Sequence, residues 1–461
     1  MITFKKIQKE DIRRIRPYLG TSSRVCTKSI GVIYMWSNYF DTEVGFYEGG
    51  VLLKDELFGG YLFSTPRGDN AEEGFRLIEE FVCEHGGDIR FNSVDDEDLA
   101  RLASRYPAIE IESHRDYSDY LYLAADLAEY KGKKYHGQKN HRNKFMREYP
   151  NYEFLPFGQE DLPLIYAFLE RHKALASRSK EELIEYDCCR RLLDAMGELD
   201  LLTAMIRVEG EIVAVTVGEI LNDTLIVHIE KALPSYSGVY PTICSLFAQS
   251  CLDRVTYVNR EDDAGDLGLR TSKMQYHPIA MPEKRLALCS LSRPLPVSTI
   301  FTERLVIDDF TPADMEAYAT LATDEKRNEY WGYDYTLDLN GDAPDAAHFA
   351  RVLAEDEARG VCYCRKIADR DGAFVGEGVF YRFRLDGSAE LGLRITAEQA
   401  GKGYGREAYR ALADAALEHL PKLHARCFKK NPASKRMILA AGFTPVREDE
   451  EMIWFVRAKK D

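Results

Sequence analysis

Apolar and polar residues alternate in short runs along much of this chain, and these runs hand over to stretches of helical spacing. Leu391, Leu393 and Ile395 fall on one side of an alternating stretch, which predicts a strand. From Arg406 to Leu417 the positions Ala408, Leu412, Ala415 and Ala416 recur at helical spacing, which predicts a helix. Between them lie Gly401, Gly403 and Gly405. A second pattern occurs three times: a short strand, then an acidic helix start, beginning at Thr3, Tyr152 and Leu305. Alignment on Asp11, Asp161 and Asp314 spaces the copies at intervals of about 150 residues. Each aspartate falls in a first helical turn, where negative charge suits the helix dipole. Glu209-Gly210 and Asp371-Gly372 interrupt alternating runs as hairpin turns, and Tyr47 to Gly50 repeats this more loosely. The expected fold is α/β (α+β): three modules of mixed, mostly antiparallel sheets flanked by helices, the first two fused as a tandem. Their expected bounds are 1–150, 151–291 and 299–461, with Ser292 to Pro296 as a proline-bearing linker.

Bulk properties narrow the classes. At 461 residues the chain has room for about three units. It holds no apolar run of eighteen residues, so no membrane span is expected. The opening MITFKKIQKED lacks an apolar signal core, and ten cysteines lack CxxC spacing. Reduced thiols in a cytoplasmic protein, without a metal site, are the expectation. A net charge of -15 argues against nucleic acid as a default partner. One run departs from that balance: Lys131, Lys133, Lys134, Lys139, Arg142, Lys144 and Arg147, with His136 and His141, interleaved with Tyr130, Tyr135, Phe145 and Tyr149. It reads either as a groove for phosphates, such as the acceptor end of a tRNA, or as a solvated helix between modules.

Strand, glycine-rich turn and helix start together make an anion site, because bare amides and the helix dipole converge there. The turn is not GxxxxGK[ST], nor is it GxGxxG in a βαβ unit. Its spacing resembles the acyl-CoA loop of the GNAT N-acetyltransferases, [Q/R]xxGx[G/A], with Gly403 and Gly405 at the two small positions. The first position falls on Ala400, a departure that removes one polar contact. Downstream, NPASKRMILAAGF from Asn431 to Phe443 is similar to the family's Asn motif. Thr302-Glu303-Arg304-Leu305 is typical of the subgroup that acetylates N-termini of ribosomal proteins. The resemblance implies acetyl-CoA as cofactor. Its contacts would be Ala400, Gly401, Lys402, Gly403, Tyr404, Gly405, Asn431 and Ser434, with backbone amides around Leu393 and Ile395 polarising the thioester carbonyl.

Residues 1 to about 290 resemble the C-terminal domain of phosphatidylglycerol lysyltransferases, a tandem of GNAT folds. The resemblance rests on HIEKALPSYSGVYPTI, YKGKKYHGQKNHRNKF and YVNREDDAGDLGLRTSKMQYHP. Those enzymes move an amino acid from aminoacyl-tRNA to a lipid. The second module has a counterpart of the phosphate loop at Pro234 to Tyr240, with one glycine, where Tyr236 and Tyr240 would crowd a diphosphate. A donor other than acyl-CoA, or none, is expected there, and the first module is expected to be structural. Asn259, Arg260 and Glu261 read as a substrate-binding constellation, with Glu261 a base and Arg260 an anion holder, or as an internally paired network. His228, two residues from Glu230, reads as a paired core histidine.

Acetyl transfer to an amine needs a base, and Glu390 is the first candidate, Glu377 the second. The family's usual tyrosine acid has Ile438 in its place, which leaves Ser434 or a water to protonate the thiolate, or the thiolate to leave unassisted. Tyr333 and Asp334, in an aromatic run, are candidates to hold a small-molecule or peptide amine. The leading expectation is an acyl-CoA-dependent N-acetyltransferase in residues 299–461. The alternatives are an aminoacyl-tRNA-dependent aminoacyltransferase in residues 1–290 and a non-catalytic CoA- or ligand-binding protein.

Overall fold

A computed structural model describes residues 2–459 apart from 21, 58–59, 176–179, 333 and 340. The chain forms two compact units: Met1–Arg101 with Glu110–Leu288, and Cys289–Asp461 with Leu102–Ile109. Three mixed sheets flanked by helices make up the architecture, as the alternation implied.

In the first unit one sheet runs Lys5–Lys6, Glu43–Tyr47, Gly50–Leu57, Gly60–Phe63 and Ile89–Val94. The other has the order Leu121–Leu123, Tyr257–Asn259, Thr224–Ala232, Glu211–Leu221, Leu202–Val208 and Glu153–Leu155. Glu209 and Gly210 both take positive φ (51° and 81°), the conformation that closes a tight hairpin with the right twist. Ile30, Tyr34 and Met35 share one core with Leu192, Leu193, Met205, Val215 and Ile229, so the two halves are buried against each other as one body.

The second unit's sheet has the order Ile300–Phe301, Leu305–Asp308, Tyr363–Asp369, Phe374–Tyr381, Ala389–Ile395, Lys422–Phe428, Met452–Ala458 and Thr444–Glu448. All but one of its pairings are antiparallel; Ala389–Ile395 and Lys422–Phe428 run parallel, joined by the helix Tyr404–Ala416. That helix buries Ala408, Tyr409, Leu412, Ala413 and Ala416 against Phe380, Leu391, Leu423 and Phe455. The opposite face of the sheet is covered in part by Met315–Ala322, Glu325–Asn328 and Ala346–Arg359.

The threefold acidic pattern has one physical basis. Asp11, Asp161 and Asp314 each accept the backbone N–H three residues earlier, from Gln8, Gly158 and Thr311, at 3.0, 3.0 and 2.7 Å. Each carboxylate thereby fixes the chain as it enters a helix.

Candidate active site

The parallel strands Ala389–Ile395 and Lys422–Phe428 part soon after they begin. They pair at Ala389–Leu423 and Glu390–His424 and, among the described residues, nowhere beyond. From Leu391 to Ile395 the first strand therefore keeps its partner on one side only, across to Phe374–Tyr381. Tyr409 helps keep the gap open, since its buried hydroxyl donates to the Leu391 carbonyl at 2.8 Å. Leu393 and Ile395 lie on this unpartnered stretch, and their side chains border Gly405 at the helix start. A Cβ on Gly405 would lie 3.3 Å from Met437 Sδ and 3.5 Å from Ile395 Cγ1.

The turn before the helix is open. Gly403 takes φ +84° as N-cap and offers no side-chain cap. Among the described residues no amide from 401 to 406 donates to a carbonyl or side chain. Ala400, Gly401, Lys402 and Gly403 are exposed, and Tyr404 is half-buried. Arg304 braces this turn from below: NH1 donates to the Lys402 carbonyl at 2.9 Å, and Nε to Glu407 at 2.7 Å. A set of free amides at a helix N-terminus, beside a strand gap, is an arrangement that can receive an anion.

The equivalent turn of the first unit is closed. Gly238 has φ +87° and caps Val239–Gln249, as Gly403 caps its own helix. Its missing Cβ, however, would lie 2.0 Å from the His141 carbonyl oxygen. The backbone of the helix His136–Glu148 thus packs directly on this turn, and Tyr236 and Tyr240 are hydrogen-bonded to Glu211 and His172. The His141 carbonyl against this turn is a contact that no sequence pattern announced.

Asn431 caps the helix Pro432–Ala440 by accepting the Ser434 amide at 3.1 Å, so its oxygen is committed. Its Nδ2 and the Ser434 hydroxyl make no hydrogen bond among the described residues. Ile438, where the family's tyrosine stands, is 1 % exposed and belongs to the core.

Neither candidate base is free, and neither is an exposed strand glutamate. The Glu390 carboxylate is 3 % exposed. It takes Tyr381 Oη at 2.7 Å and Arg426 Nε at 2.9 Å on one oxygen, Arg382 NH1 at 3.3 Å and Arg384 NH2 at 3.5 Å on the other. Burial pushes its pKa up, but the charges of Arg426, Arg382 and Arg384 outweigh that and hold it far below the usual carboxylate range. A carboxylate held so firmly ionised is a weak proton acceptor, which counts against Glu390 as the base. Glu377 is buried against Arg394 Nε; Arg394 also reaches Asn328 Oδ1 and lies under the Trp331 ring at 4.6 Å. Asp334 spends one oxygen on the Thr336 amide and hydroxyl at 2.9 and 2.6 Å, capping a turn. Tyr333 lies outside the described residues. Arg382, Arg384 and Arg426 were missed by the sequence reading, whereas Trp331 lies in the aromatic run that it singled out. Arg382 and Arg384 stand two apart just beyond the strand Phe374–Tyr381, and Arg426 comes from Lys422–Phe428, so no short spacing ties all three together.

In the first unit Asn259, Arg260 and Glu261 are bonded inward. Asn259 is buried, and its Nδ2 donates to the Arg24 carbonyl and to Asp119. Arg260 pairs with Glu230 at 2.5 Å, and Glu261, at φ +56°, accepts from His228 Nδ1 at 2.9 Å. Nε2 of His228 lies 3.6 Å from Glu219, an ionic contact beyond hydrogen-bond length. Burial lowers the His228 pKa, but Glu219 and Glu261 raise it to about 9. The two carboxylates favour the ring's charged form, and the core histidine is paired with Glu219 and Glu261, while Glu230 pairs with Arg260. On the basic run Tyr130, Tyr135 and Phe145 are wholly buried, so they offer no ring for base stacking. Lys131, Lys134 and Lys144 pair with Glu129, Asp126 and Glu148, while Lys133, Lys139 and Arg147 are exposed. Ten cysteines are free thiols, and among the described residues no cluster could hold a metal. No helix among them is long and apolar enough to cross a membrane.

Comparison with known proteins agrees with this division. Residues 21–287 match the family model "Phosphatidylglycerol lysyltransferase, C-terminal", and residues 304–444 match "Acetyltransferase (GNAT) domain". Among solved structures, a conserved protein of unknown function from Bacteroides thetaiotaomicron is 28 % identical, at a TM-score of 0.59 over 63 % of this chain and 100 % of that one. L-PGS from Bacillus licheniformis is 16 % identical (TM-score 0.46; 64 % of this chain, 95 % of that one). Spermidine N-acetyltransferase from Vibrio cholerae, in complex with CoA and spermine, is 14 % identical (TM-score 0.31; 34 % and 97 %). No curated protein matches. Since the first of the two models covers more than half of the sequence, the chain belongs to the phosphatidylglycerol lysyltransferase C-terminal family, and it carries a GNAT acyltransferase domain behind that region.

Proposed function

We propose that residues 299–461 catalyse acyl-CoA-dependent N-acetylation of an amine. The observation that carries this reading is the open turn 401–406, whose amides have no partner among the described residues, set beside the gap between Ala389–Ile395 and Lys422–Phe428. The amides of Gly401 to Gly405 would receive the diphosphate, and the gap would receive the pantetheine arm, bordered by Leu393, Ile395, Asn431 and Ser434. Acetyl-CoA would supply an activated thioester: the C–N bond forms, the C–S bond breaks, and the amine's surplus proton leaves with the thiol. Unpaired backbone on the Leu393–Ile395 edge polarises the carbonyl. Because Glu390 and Glu377 are ion-paired, the amine arrives deprotonated or gives its proton to water, and Glu390 keeps the arginines around it in place. Ser434 Oγ, unbonded among the described residues, is a candidate to protonate the sulphur.

Acetyl-CoA should raise the melting temperature of the protein. Gly403→Asp should abolish that shift, since it adds a negative charge where the phosphates bind and a side chain at φ +84°. A shift that survives in the variant, or none in the wild type, would defeat this reading.

A second reading has support from the family of residues 21–287, which points to aminoacyl transfer. On it the exposed Lys133, Lys139 and Arg147 hold an aminoacyl-tRNA by its phosphates. Salt-sensitive retention of aminoacyl-tRNA should then fall when Lys133 and Lys139 are changed to Glu, and unchanged retention would count against it.

A further inference from the structure

Arg426 stands apart from the other arginines at the strand gap. Its Nε is anchored to Glu390 at 2.9 Å, and its side chain remains 27 % exposed. Its two terminal nitrogens make no hydrogen bond among the described residues. One of them faces the turn that carries Gly332, where a Cβ would lie 4.0 Å from NH2. The surrounding wall is aromatic. Trp331 Cη2 would lie 3.2 Å from a Cβ on Gly392, and the Tyr330 ring packs on Phe428 at 5.6 Å between centroids. Glu390, Gly392 and Arg394 alternate along one strand, and Arg426 and Phe428 along its neighbour, so these groups share one face of the sheet. That face is opposite the one packed on Tyr404–Ala416, and it borders the place where the strands separate.

Glu390 is not available to a substrate ammonium, because both its oxygens are already taken by Tyr381 and three guanidinium groups. What the wall presents instead is a guanidinium fork, which donates and cannot accept. Such a fork matches a carboxylate or a phosphate in two parallel hydrogen bonds.

On the reading that this domain transfers an acyl group from a thioester, we infer that its acceptor is a primary amine that also bears an anionic group, held by Arg426 beside the strand gap. A polyamine is the poorer partner, since its cations would meet the Arg426 guanidinium, while the nearby Glu390 carboxylate is already taken. The anion is a carboxylate in an amino acid or a peptide and a phosphate in a phosphorylated amine; both satisfy the same fork.

Full-length protein with acetyl-CoA tests this against matched acceptors: amino acids and their decarboxylated amines, O-phosphoethanolamine and ethanolamine, and spermine. The anionic member of a pair should be acetylated with the higher kcat/KM, and comparing carboxylates with O-phosphoethanolamine separates the two sources. Arg426→Gln should raise KM for anionic acceptors roughly ten- to hundredfold, the loss of one or two charge-assisted hydrogen bonds, with little change for neutral ones. The melting shift with acetyl-CoA should persist in this variant, which shows that it folds, and Arg426→Lys should recover part of the lost preference. Preference for spermine or neutral amines, failure to acetylate any anionic amine, or equal losses for both acceptor classes in Arg426→Gln would overturn the inference. Absence of any shift with acetyl-CoA in the wild type would defeat the acyl-transfer reading itself, and the inference with it.

Discussion

Glu390 shows how far one side chain's role depends on what surrounds it. On the sequence it is a glutamate on the strand leading to the glycine-rich turn, a candidate base. In the fold it is buried among Tyr381, Arg382, Arg384 and Arg426, and the cations keep it ionised. Removing that charge leaves guanidinium groups without a counterion in a part-buried site, a change that costs about 3–5 kcal/mol where buried pairs have been broken. Glu390→Gln should therefore lower the unfolding free energy of the second unit by an amount of that order in urea titration. A variant of unchanged stability with a collapsed kcat would restore Glu390 as the base. Arg382, which also contacts this carboxylate, takes φ +53°, a sparsely populated region for a residue with a side chain.

At the level of elements, two turns of nearly the same backbone differ in what lies beyond them. Gly238 and Gly403 both cap a helix in the left-handed region, at φ +87° and +84°. Alanine at either site loses about 1–2 kcal/mol from that conformation. At Gly238 the new methyl group would also meet the His141 carbonyl at 2.0 Å, and forced overpacking adds about 1–3 kcal/mol. At Gly403 the nearest atom is Arg304 NH2 at 3.4 Å, the end of a flexible side chain. Gly238→Ala should thus be the more destabilising of the two in equilibrium unfolding, and equal losses would show that His136–Glu148 does not close the first turn. The helix start that is open is the one beside a strand gap, which is why cofactor binding is proposed there.

At the scale of the whole molecule, the repeated helix entries were legible in the order of residues. Asp11, Asp161 and Asp314 announced three helix entries because a carboxylate three residues beyond a free amide is a local device, complete within one turn. The strand Ala389–Ile395, the turn with Gly401, Gly403 and Gly405, and the helix that follows were predictable for the same reason: period, glycine and dipole act over a few residues. The fold class and the family of each part followed from such local patterns. Whether a turn is open, whether a glutamate can take a proton and which arginines meet were decided by the tertiary structure alone. His141 reaches Gly238 from about a hundred residues away, Arg426 reaches Glu390 from the next strand of the sheet, and Trp331 lies over Gly392 from a loop. Burial and charge pairing are sums over neighbours that the chain brings together only on folding, so no stretch of sequence records them.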